Sequence, residues 1–78
     1  MKPTIPEVLP LVRDYYAKPG NGAGGSLHIV LDDGNVSDDH VRFCLQWARD
    51  AGDEDGIRLA EILLQMSKTQ RLKLGNVR

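Results

Sequence analysis

The side chains able to do chemistry are few, and their spacing limits what they can do. The only cysteine, Cys44, stands four residues after His40. On a helix the two share a face, giving a pair of metal ligands or a thiol beside a base. Structural zinc takes four ligands, and neither a second cysteine nor a paired-histidine motif supplies the others. Cys44 also falls on an apolar stripe, whereas a reactive thiolate needs an exposed, electropositive setting. Asp53-Glu54-Asp55-Gly56 has the look of a calcium loop. Aligning its glycine with the sixth loop position puts Ala51 first and Ile62 twelfth, where oxygen ligands are required. Asp32, Asp33, Asp38 and Asp39 form a second acidic group whose spacing fits no named calcium motif. No catalytic residue, metal site or cofactor is assigned on these grounds.

Gly20-Asn21-Gly22-Ala23-Gly24-Gly25 formally spells G-x-G-x-x-G. The dinucleotide motif works because its glycines follow a strand and open a helix, setting phosphate on the helix N-terminus. Here the expected order is helix, glycines, strand, so the plain reading is a flexible connector over residues 18–25. Backbone N–H groups of such a loop still form an anion-binding nest. The candidate ligand-binding residues are therefore Lys18, Gly22, Gly24, Gly25, His28, Asp32 and Asp33.

The elements that must position these residues follow from periodicity and punctuation. Residues 4–17 predict a first helix: Thr4 and Glu7 have capping-box spacing, and Ile5, Val8, Leu9, Val12 and Tyr16 repeat at helical period. Pro10 lies beyond the first turn and predicts a kink. Asp14 and Lys18 are placed for an i,i+4 pair. Residues 26–31, rich in aliphatic and β-branched types, read as a short buried strand. Ser37 is the expected N-cap of a second helix ending near Gly52, with Val41, Cys44, Leu45, Ala48 and Ala51 as its core stripe. Phe43 and Trp47 lie beside that stripe. Asp53 is the expected cap of a third helix running from about residue 54 into residues 66–71. Its apolar arc includes Leu59 and Met66 and is wider than one packing partner needs. Residues 72–78 are left as a basic tail, a short strand or a frayed end. The expected fold class is α+β, three helices and one short β element in the order helix-strand-helix-helix, in a single domain over residues 1–78.

Charge narrows the partners. Residues 32–55 hold eight acids against Arg42 and Arg49, whereas residues 68–78 hold Lys68, Arg71, Lys73 and Arg78 and no acid. A helix-turn-helix reading of the pair around Gly52 fails on this acidic turn, since nucleic-acid binding needs a cationic footprint. No apolar run approaches a membrane helix, which takes roughly 18 residues. The start of the chain lacks the basic-then-apolar pattern of a signal peptide, and a lone cysteine favours a reducing compartment. A domain this short is marginal alone. With an unpaired strand edge and the wide apolar arc of the third helix, this predicts a homodimer. Phe43, Trp47, Leu59 and Met66 are the candidate protein-interaction residues, the two aromatic rings being the best anchors.

Residues 24–36, Gly-Gly-Ser-Leu-His-Ile-Val-Leu-Asp-Asp-Gly-Asn-Val, and residues 66–71, Met-Ser-Lys-Thr-Gln-Arg, give the chain a further character. In these segments, and across residues 15–74, it resembles small uncharacterised proteins of tailed bacteriophages and prophages, whose motifs have no assigned chemistry. The resemblance implies a phage accessory protein in the cytoplasm of a bacterial host. It implies action by protein–protein contact, inhibiting or redirecting a host or defence component, rather than catalysis. A small-ligand or nucleotide binder using the glycine loop is the alternative expectation, and a small metal-dependent enzyme the third.

Overall fold

The structure, a computed structural model, describes residues 3–18, 27–31 and 34–77, with the side chains of His28 and Ile29 outside the description. Among these residues the regular elements are all helices: α1 Ile5–Ala17, α2 His28–Leu31, α3 Asp38–Ala51, α4 Glu54–Leu64 and α5 Lys68–Val77. It contains no strand among the described residues, so the α+β expectation is corrected to an all-helical fold. The apolar run over residues 26–31 shows why. The N–H groups of Val30 and Leu31 both donate to Leu27 O, at 3.1 and 2.9 Å. Leu27, Val30 and Leu31 are buried, at the i, i+3, i+4 spacing of a helical turn rather than the alternation of a strand. Burial of one helical face outweighs the β propensity of Ile29 and Val30.

The first helix begins where the sequence places it, although its cap differs. Thr4 Oγ1 donates to Glu7 Oε1 at 2.8 Å, and the hydroxyl accepts no backbone hydrogen bond. Pro10 lies inside α1, and the helix continues past it to Ala17. Pro10 lacks the N–H that Pro6 O would accept in a regular helix. Both prolines are exposed, which leaves that carbonyl to water. Val8, Val12 and Tyr15 turn inward.

Helices α3 and α4 form a tight hairpin whose punctuation is local. Ser37 Oγ accepts from His40 N, and Asp38 and Asp39 stand in the first turn. At the far end Gly52 is left-handed, with φ 69°. Its N–H donates to Arg49 O and that of Asp53 to Ala48 O, the two bonds of a Schellman motif. Asp53 then caps α4 by accepting from Gly56 N at 3.1 Å. Gly56 is buried in the hairpin, and a Cβ there would overlap Asp53 Oδ2 and stand 3.2 Å from Ala48 Cβ.

The third expected helix is two helices. α4 stops at Leu64, and Ser67 and Gln70 restart the chain with a reciprocal capping box. Gln70 N donates to Ser67 Oγ at 3.2 Å, and Ser67 N to Gln70 Oε1 at 3.0 Å. The tail over residues 72–78 is thereby corrected: through Val77 it is part of α5, with Leu74 fully buried. Gly75 lies where a Cβ would collide with Leu31 O, so a glycine lets α2 and α5 approach. α1 packs on α4 and α5, and the core joins Val12, Leu27, Val41, Leu63 and Leu74 across these helices. Among the described residues no helix is long and apolar enough to cross a membrane.

Candidate interaction surface

α3 divides its residues sharply. Val41, Cys44, Leu45 and Ala48 point into the core, which turns Phe43 and Trp47 to the outside. They are 52% and 57% exposed, the two most exposed large rings in a chain with only five large apolar side chains so placed among the described residues. Their ring centroids are 5.9 Å apart with planes tilted by 55°, a favourable arrangement for aromatic pairs. The pair covers itself only in part, so a contiguous apolar patch faces solvent.

Polar groups rim the patch. Ser37 Oγ lies 2.6 Å from His40 Nδ1. The same hydroxyl oxygen accepts from His40 N, and the imidazole tautomer sets which of Oγ and Nδ1 donates to the other. Gln46 Nε2 donates to Asp50 Oδ1 at 2.9 Å. Arg42 stands 3.8 Å from Asp39. His40, Phe43, Gln46, Trp47 and Asp50 are all exposed.

The other two expected contact residues are elsewhere. Leu59 and Met66 are 2% and 3% exposed, inside the core of this same chain. The wide apolar arc of α4 is taken up by its neighbours: α3 closes on it through the hairpin, and α1 covers another side. The strand-edge reason for a dimer lapses as well, since residues 28–31 form a helical turn.

The ligand-binding candidates are not assembled into one site. Lys18 pairs with Asp55 across the α1–α4 groove, in place of the expected partner Asp14. That groove, about 350 Å³, has Leu11, Leu59 and Ile62 on its apolar side and Asp14, Lys18, Asp55 and Arg58 around it. Two acids balance two bases, which gives a phosphate-bearing ligand no net attraction. Beside it, Tyr15 OH donates to Asp53 Oδ2 at 3.0 Å, and burial, reinforced by this bond, pushes the phenol above its ordinary range. Gly22, Gly24, Gly25, Asp32 and Asp33 lie outside the described residues, as does the side chain of His28. His40 and Cys44 do not form a reactive pair: the imidazole is engaged with Ser37 on the surface, and the thiol is buried. Among the described residues no three His, Cys, Asp or Glu side chains converge to hold a metal ion.

Arg71 is the polar feature that sequence reasoning missed, having counted it only among the basic residues of 68–78. It is 1% exposed, and it donates through Nε to Leu63 O and through Nη1 to Val36 O, each at 2.7 Å. Nη1 is also 2.7 Å from Asp38 Oδ1. A signal was present: Ser67 and Gln70 begin a helix, and Arg71 then shares a face with Leu74 three residues later. Comparison of the chain with protein-family models, with curated proteins and with solved structures finds no match.

Proposed function

We propose that the chain is a non-enzymatic protein-interaction module working through the outer face of α3. The observation that carries this reading is the Phe43–Trp47 pair, more than half exposed on a helix capped at both ends. Rigid aromatic side chains lose little conformational freedom on docking and are enriched among residues that dominate binding energy. The polar rim of His40, Gln46 and Asp50 fits the usual anatomy of an apolar centre with polar surroundings. The resemblance to tailed-phage proteins supports an accessory role in a bacterial cytoplasm, with a host or defence component as the system acted upon.

A photo-reactive benzophenone amino acid at position 43, in the chain expressed in bacterial cells, tests the reading. A protein adduct of discrete mass is expected, and Trp47→Asp is expected to abolish it while the helical circular dichroism is retained. The same probe at exposed Arg13 on α1 is the control. No discrete adduct at position 43, or one indifferent to Trp47→Asp, overturns the proposal.

A further inference from the structure

Resting on that reading, we infer that the occupant of the α3 face is a second copy of this chain, bound antiparallel about a two-fold axis. The exposed face carries His40, Phe43, Trp47 and Asp50, separated by three, four and three residues. Reversing the helix about Leu45 exchanges His40 with Asp50 and Phe43 with Trp47. The pattern is therefore self-complementary, and a two-fold interface makes each contact twice. Phe43 comes level with Trp47 of the second copy, and His40 with Asp50 of the second copy.

The chemistry of the pairs agrees with this direction. Nδ1 of His40 is engaged by Ser37 Oγ, and with Nε2 protonated the ring donates to a carboxylate. A parallel pairing would instead oppose Asp50 to Asp50 and align the two helix dipoles, both unfavourable. General charge repulsion is small. Arg71 engages Asp38, so the remaining formal charges of α3 are Asp39 and Asp50 against Arg42 and Arg49. One helical face covers less than the roughly 800 Å² per partner of a standard interface. The dimer is accordingly a weak one, and it is to be sought at protein concentrations up to about 1 mM.

Sedimentation equilibrium on the purified chain decides the matter. The wild-type mass is expected to rise above 8.6 kDa towards twice that value with concentration. His40→Asp opposes one aspartate to another twice in each dimer, and Asp50→Lys opposes histidine to lysine twice. Each is expected to weaken association about tenfold. When the two variants are mixed, the aspartate introduced in one meets the lysine introduced in the other. The Asp50 and His40 that each retains still meet at the second pair. The mixture is therefore expected to associate more tightly than either variant alone. A monomer mass at all concentrations, or a mixture no tighter than its components, overturns this inference. Failure here is separable from failure of the wider reading. A discrete adduct to a different protein at position 43, beside a monomeric purified chain, retires the dimer and leaves the interaction face. No adduct at all retires both.

Discussion

Arg71 is held by groups from three separate stretches of chain: the last turn of α4 at Leu63, the turn at Val36 and the first turn of α3 at Asp38. A buried guanidinium needs several acceptors to offset its lost hydration. Replacing it with Met keeps an unbranched apolar stem and leaves two carbonyls without their donor. Arg71→Met is expected to destabilise the fold by about 2–4 kcal/mol, measured by urea unfolding. Lysine is expected to recover only part, because an ammonium lacks the planar fork that reaches separate acceptors. The guanidinium also holds the Asp38 carboxyl below its ordinary range. The folded chain therefore binds a proton there less readily than the unfolded chain. This stabilisation is present at neutral pH and is lost as pH falls through the aspartate range. Asp38→Asn is expected to flatten the acid limb of a stability–pH curve. Gly56 acts at the same scale by absence of a side chain. Alanine would raise helix propensity, but its Cβ would displace the Asp53 carboxylate that serves both Gly56 N and Tyr15 OH. The net expectation for Gly56→Ala is a loss of about 1–3 kcal/mol, read by thermal or urea unfolding.

At the scale of elements, short polar signals decide where helices start and stop. Ser37, Gly52 and Asp53 do so from within their own few residues, and the α3–α4 hairpin follows. Ser67 with Gln70 does the same between α4 and α5, yet the apolar run of Leu63, Leu64 and Met66 disguises the break in sequence. Ser67→Ala removes the acceptor for Gln70 N and is expected to cost about 1 kcal/mol. Because Arg71 hangs from this first turn, Ser67→Ala and Arg71→Met are expected to be non-additive in a double-mutant cycle. The expected strand over residues 26–31 fails for a related reason. Aliphatic composition cannot distinguish a strand from one buried helical turn, and the spacing of Leu27, Val30 and Leu31 becomes decisive only once they join Leu74 in one core.

For the whole molecule, the question is which apolar surface belongs to the fold and which is left over. Leu59 and Met66 belong to the fold. Leu59→Asp is therefore expected to abolish cooperative unfolding, since it buries an unpaired charge, and circular dichroism with a thermal ramp checks this. Trp47→Asp is expected to leave the melting profile almost unchanged and to act only on association. The contrast between the two variants separates core from contact surface, a distinction that hydrophobicity in the sequence does not make.

Features legible in the chain alone were local ones. Helix α1, the limits of α3, the caps at Ser37 and Asp53 and the Gly52 stop each depend on residues within one or two turns. The position of Phe43 and Trp47 beside the core stripe was legible for the same reason, but their exposure was not. Tertiary structure decided that no described element covers them, that α1 and α3 close on α4 with Leu59 and Met66 enclosed, and that Arg71 turns inward. These outcomes depend on contacts between residues such as Val36 and Arg71, 35 positions apart. No local pattern encodes which distant surface a helix face will meet, because burial is a property of the packed assembly of helices and not of any one of them.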